Sequence, residues 1–117
     1  MTALLMKAVP MLAVADIERG VAFYRDHLNF ECLHADDDTA VLLRDGVLLH
    51  LWRCADRRIA DNTACRMQVD GIDELHAHCR TRGIVHPNGA LAPKPWGLCE
   101  FTVLDPQGGA ITFFERP

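Results

Sequence analysis

The sequence lacks the features that mark several large functional classes. Bases do not outnumber acids: 12 Lys and Arg stand against 16 Asp and Glu, a formal charge of −4. The densest charge run, Asp36-Asp37-Asp38, is acidic. No basic face suited to a phosphate backbone can be assembled, so nucleic acid is not an expected partner. No apolar run approaches the roughly 20 residues of a membrane span. The apolar stretch 1–15 carries its only base, Lys7, in mid-run and is interrupted by Pro10, unlike a secretory leader. A cytoplasmic chain with no membrane partner is the expectation. Cys32, Cys54, Cys65, Cys79 and Cys99 are odd in number and form no CxxC pair, against a disulfide framework or zinc knuckle. The GxSxG elbow, the Walker loop and the dinucleotide-binding GxGxxG are also missing.

What is present is an ordinary globular mixture, 50% apolar and 24% charged over 117 residues, enough for one domain spanning 1–117. A chain of this size buries roughly two-thirds of its unfolded surface. Two segments share one grammar. In the first, 8–14 alternates like a strand, Asp16 stands as a helix N-cap, and Ile17, Val21, Phe23, Tyr24 and Leu28 follow near helical spacing. In the second, 64–69 is the strand, and Asp70 or Gly71 opens a helix carrying Ile72, Leu75, His76 and Cys79 that closes at Gly83. Three strand candidates follow each helix: 30–34, 40–43 and 47–52, then an ill-defined piece near 84–92, 99–104 and 110–114. Asp45-Gly46 and Asp105-Pro106-Gln107-Gly108 are the matching hairpin turns. The reading is an internal duplication of 7–54 and 63–116: an α+β fold of two βαβββ modules, each a curved mixed sheet with one helix.

Strand alternation then divides the faces. Leu12, Val14, Leu49, Leu51, Met67, Val69, Ile111 and Phe113 should pack under the helices. Val9, Met11, Ala13, Leu48, His50, Trp52, Arg66, Gln68, Thr112 and Phe114 should line the other, concave face. A concave surface of mixed polarity suits a ligand. The sheets would also leave edges and an apolar wall uncovered, which favours a two-fold dimer.

The stretches VPMLAVADIERGVAFYRDHLNF, DNTACRMQVDGIDEL and KPWGLCEFTVLDPQGGAITFFE resemble the glyoxalase, or vicinal-oxygen-chelate, superfamily over nearly the whole chain. Within it they most resemble the bleomycin-resistance proteins, to which the PWG…EF…DPxG arrangement is fairly specific. The resemblance implies a homodimer with an exchanged N-terminal arm, Pro10 matching the proline where the arm departs. It implies two interface clefts that bind a cationic glycopeptide drug without breaking a bond. It also implies where a metalloenzyme of the superfamily would hold its ion: Val9, His50, Ala64 and Thr112. One imidazole and one hydroxyl do not make a divalent site, which needs three or more good donors. No metal, cofactor or catalytic residue is therefore expected, and His50 reads as a pocket or packing residue.

Other candidates carry two readings each. Trp96, between Pro95 and Gly97, is either a stacking platform for a planar drug moiety, as in the family, or a plug at the dimer seam. Trp52 has similar standing. Asp36 and Asp38 belong to a solvated turn or to a negative rim that attracts a cation, with Asp61 and Glu100 as weaker members. His76 and His78, two apart on a helix, cannot chelate together; His76 is expected at the core edge and His78 in solvent. Bleomycin-binding members carry bulky aromatics where this chain has Arg66, Gln68 and Asp38, and Arg66 would place a positive charge in a cleft meant for a cation. The leading function is a protein that sequesters a bleomycin-type or other amphipathic, planar antibiotic. The alternatives are a superfamily metalloenzyme (lyase, isomerase or dioxygenase) with an atypical site, and a stable dimer with no small-molecule role.

Overall fold

In the computed structural model, which describes residues 2–117, two similar modules follow one another. The first contains β1 (Met11–Val14), α1 (Ile17–Leu28), β2 (Glu31–Ala35), β3 (Thr39–Arg44) and β4 (Val47–Arg53). A short helix α2 (Arg57–Ala60) links it to β5 (Ala64–Gln68), α3 (Ile72–Thr81), β6 (Ala92–Pro93), β7 (Cys99–Leu104) and β8 (Ala110–Glu115). The sheet orders, β1-β4-β3-β2 and β5-β8-β7-β6, are the same topology twice. In each, the first strand pairs in parallel with the last, and the remaining pairs are antiparallel.

Local chemistry sets the boundaries. Asp16 caps α1 by accepting from the Arg19 N–H at 3.0 Å, and Asn29 ends it in the left-handed conformation at φ 56°. Gly20 lets α1 lie close on its sheet, since a Cβ there would stand 3.0 Å from Leu51 Cδ1. At α3 the cap comes from a distant strand: a Glu115 carboxylate oxygen accepts from the N–H groups of Gly71 and Ile72. The core lies between helices and sheets, with Leu12, Val14, Leu49, Leu51, Ile111 and Phe113 buried as expected, each contributing about 1.5–3 kcal/mol. Met67 and Val69 pack against it half-buried.

The modules are tied together by side chains of the β7–β8 turn and the linker. The buried Tyr24 hydroxyl donates to Asp105 at 2.7 Å. The Gln107 amide accepts from the Asp16 N–H at 2.8 Å and donates to the Asp16 carbonyl at 3.0 Å. Thr63 Oγ1 accepts from the Ala13 N–H, and Ala13, expected on the open concave face, is fully buried.

Three other expectations are corrected. The first strand does not begin at residue 8; it begins at Met11, because proline has no N–H to give the ladder. The segment 84–92 is mostly a loop; it runs along β7 through the Val85–Val103 bridge and backbone bonds of Ile84, His86 and Gly89 to Leu104 and Thr102, and only Ala92–Pro93 forms a strand at its end. His78 is half-buried rather than solvated, its Nε2 donating to the His27 carbonyl at 2.8 Å.

Candidate ligand-binding site

Alternation along β5, β7 and β8 brings Arg66, Gln68, Glu100, Thr102, Thr112 and Phe114 to the helix-free face of the second sheet. The register places Arg66 beside Thr112, Gln68 beside Phe114, and Glu100 on the other side of Phe114. Glu100 is the hub. Its side chain is only 5% exposed. Its two oxygens accept from Arg66 Nη1 at 3.1 Å and Nη2 at 2.6 Å, a two-point pairing. Trp96 Nε1 donates to the same carboxylate at 2.6 Å. The Arg66 guanidinium carbon lies 4.9 Å from the centroid of the Phe114 ring. The Arg66 bonds hold the Glu100 carboxyl below its ordinary range against the opposing effect of burial, with Trp96 adding to the lowering. Arg66 is raised in turn by Glu100. The charge expected to stand alone in the cleft is thus matched by an anion. Thr102 and Thr112 share a hydroxyl–hydroxyl bond at 2.8 Å.

On the first sheet, β4 presents His50 and Trp52 half-exposed, with Met11 and Val41 flanking His50, and Ala13 and Thr39 flanking Trp52. Among the described residues, no hydrogen bond or ion pair joins His50 or Trp52 to the Glu100 cluster.

The other sequence candidates have local work. Asp36 accepts from the N–H groups of Asp38 at 2.9 Å and Thr39 at 2.8 Å, a turn-forming pattern that lowers its carboxyl to about 2. Asp38 pairs with Arg53 at 2.9 Å. Asp61 lies in the linker, paired with Arg57 at 3.1 Å and packed against Gly108, away from the helix-free faces. Pro10 accepts from the His50 N–H at 3.0 Å, which anchors the chain beside an exposed segment. In that segment Leu4, Leu5 and Met6 are 79%, 102% and 85% exposed.

Thr102 and the Arg66–Glu100 pairing were not singled out from sequence. The i, i+2 spacing of Glu100 and Thr102 would have placed Thr102 on this face; the pairing spans 34 residues and leaves no local signal. Open cavities are lined mainly by other residues. One of about 660 Å³ separates the start of α1 from the Asp36–Asp37 turn, and one of about 550 Å³ runs along the module boundary past Gln68, His78 and Phe113.

The superfamily's metal positions do not fit an ion. The register sets His50 beside Met11 and Thr112 beside Arg66, so Val9 and Ala64 hold equivalent places two residues earlier in their modules. The four positions supply one imidazole and one hydroxyl, and that hydroxyl is engaged by Thr102. Among the described residues no three of His, Cys, Asp and Glu converge.

Two four-stranded mixed sheets, each backed by one helix, with polar and aromatic side chains on the opposite faces, define a paired-module protein of the glyoxalase type. The Glyoxalase/Bleomycin resistance protein/Dioxygenase superfamily profile matches residues 8–113, and the chain belongs to that family. It is 35% identical to the bleomycin resistance protein of Geobacillus stearothermophilus, covering 96% of this chain and 98% of that one. The bleomycin-binding protein of the bleomycin producer Streptomyces verticillus, solved with copper(II)-bleomycin, superposes with a TM-score of 0.84. It is 31% identical and covers 96% of this chain and 97% of its own. The bleomycin resistance determinant of transposon Tn5 shares the fold at a TM-score of 0.83 and 22% identity, covering 96% and 98%. No described helix is long and apolar enough to cross a membrane.

Proposed function

We propose that this protein binds and sequesters a bleomycin-type antibiotic, or another amphipathic planar drug, without chemical change. The observation that carries the reading is Trp96: its indole is 62% exposed yet fixed at its N–H end by a buried carboxylate. A large aromatic surface presented to solvent in a set orientation suits stacking on a flat ligand. The full-length relationships to bleomycin-resistance and bleomycin-binding proteins support the same ligand class. The mismatch of the metal positions with an ion favours binding over the superfamily's metal-dependent chemistry.

The clefts belong to a homodimer in this proposal. A single chain leaves Trp96, Met11 and the apolar segment around Leu5 exposed, which is costly for a lone molecule. A radius of gyration of 14.7 Å, against the ~13 Å of a compact chain of this length, fits an open shape that a second copy would complete. The segment before Pro10 would lie on the partner as an exchanged arm. Each chain is one domain built by duplication of 7–54 and 63–116, and it works in the cytoplasm. The ligand-facing residues of the proposal are Trp96, Trp52, His50, Gln68, Thr112 and Phe114, with Arg66 and Glu100 behind Trp96 and Asp36 and Asp38 at the rim; Asp61 is left out because it pairs within the linker.

The test is Trp96→Ala, titrated with bleomycin. Stacking requires binding to weaken by roughly 1–3 kcal/mol with the ligand-free melting temperature retained. A fall in dimer stability and melting temperature, with bleomycin affinity intact, would make Trp96 a seam residue and refute the stacking role.

A further inference from the structure

The Glu100 cluster does more than balance charge. A carboxylate 5% exposed has lost most of its hydration, while its Arg66 partner remains 50% exposed. Such half-desolvated pairs seldom stabilise a fold more than apolar residues of like volume would. The arrangement instead converges on the indole. The turn that carries Trp96 is closed by the Gly97 N–H donating to the Lys94 carbonyl at 3.0 Å and the Lys94 N–H donating to the Leu98 carbonyl at 2.8 Å. The backbone is therefore set, but at 62% exposure the ring has little packing to hold it. Among the described residues its one polar tie is the 2.6 Å bond to Glu100. Glu100 is aimed by two bonds from Arg66, whose guanidinium rests on Phe114.

We propose that Glu100 and Arg66 are positioning residues for Trp96, a brace that holds the indole in its stacking orientation before any ligand arrives. The inference rests on the reading of Trp96 as a stacking surface. Its consequence for specificity is that the pocket accepts a rigid planar aromatic group without first ordering a loose ring. Immobilising one such side chain costs a ligand roughly two- to twelvefold in affinity. The brace removes that cost. Because the guanidinium and carboxylate neutralise each other, neither of them presents an unmatched charge to the planar group.

Two measurements test the brace. The chain has 2 tryptophans, so in a Trp52→Phe background Trp96 is the sole indole and its time-resolved fluorescence anisotropy reports ring motion without ligand. Glu100→Leu and Arg66→Met should speed depolarisation, whereas Glu100→Gln, which keeps an acceptor for the indole N–H, should do so less. In the Trp52-containing chain, Glu100→Leu should weaken bleomycin binding about two- to twelvefold. Combined with Trp96→Ala, it should add nothing to the loss from Trp96→Ala alone. Unchanged anisotropy in both Glu100 variants, or a fully additive double substitution, would overturn the brace. If the parent chain binds no bleomycin, the drug reading fails by itself, and anisotropy still decides whether Glu100 holds Trp96.

Discussion

Removing one oxygen atom from the joint between the modules should have a measurable cost. Tyr24 is 1% exposed, and its hydroxyl donates at 2.7 Å to Asp105, itself 3% exposed. Tyr24→Phe keeps the ring, its edge-on contacts with Phe23 and Phe30, and its volume, so no cavity opens. What is lost is a hydrogen bond to a buried carboxylate, worth about 1.5–3 kcal/mol. The Asp105 oxygen that accepts from the Gln107 N–H at 2.6 Å keeps its partner, so the loss should stay within that range. For a domain of this size the melting temperature should fall by about 5–15 °C at fixed protein concentration. Urea unfolding and calorimetry on parent and variant supply both numbers. Asp105→Asn, whose amide oxygen can still accept from the Gln107 N–H while its NH2 donates to the phenol oxygen, should cost less. A Tyr24→Phe variant within 0.5 kcal/mol of the parent, roughly the limit of an ordinary surface substitution, would refute the idea that this bond joins the modules.

Gly108 tests the same joint from the linker side. It sits at φ 100°, and a Cβ would run into Asp61 Oδ1 and stand 3.0 Å from Asp61 Cα, so Gly108→Ala should destabilise by roughly 2–4 kcal/mol in urea titration. Gly46→Ala, at φ 78° with nothing within 4 Å, should cost only the backbone strain, about 1–2 kcal/mol. Alkaline pH should also weaken the fold. Burial pushes the Cys65 and Cys79 thiols from an ordinary 9.0 up to about 11, and burial with Asp105 raises the Tyr24 phenol above its ordinary 10.0. Raised values mean that the folded chain keeps protons the unfolded chain releases. This stability is therefore fully present below pH ~9 and lost as pH rises through 9 to 11 and beyond. Urea midpoints at successive pH values should fall over that window, and Cys65→Ala should flatten the fall; a midpoint constant to pH 11 would contradict the burial argument.

The fold was legible because each of its signals is local. Asp16 before Ile17, Asp45-Gly46 between two alternating runs, and Gly71 before Ile72 announced their elements without long-range information. Where the sequence misled, a distant partner decided. His78 reads as a solvated helix residue until the His27 carbonyl is placed beside it, 51 positions away. Ala13 belongs by alternation to the open face, yet it is fully buried, with Thr63 of the linker bonded to its N–H from 50 positions away. The site was legible as a set of faces but not as a network. Alternation assigned Arg66 and Phe114 to one side, and Arg66 then read as an isolated charge. Only the β5-β8-β7 order shows that Glu100 reaches it across Phe114. Aspartates grouped by charge proved to differ by geometry: Asp36 ties its own turn, while Asp61 faces the linker.

The central claim, metal-independent sequestration of a bleomycin-type drug by paired chains, is tested most directly by one titration. Protein stripped with chelator and confirmed metal-free by elemental analysis would be titrated calorimetrically with bleomycin. Saturation at one drug per chain, with the drug recovered unaltered, is the expected result. No heat of binding, binding only after a divalent metal is restored to the protein, or recovery of a chemically altered drug would contradict the account.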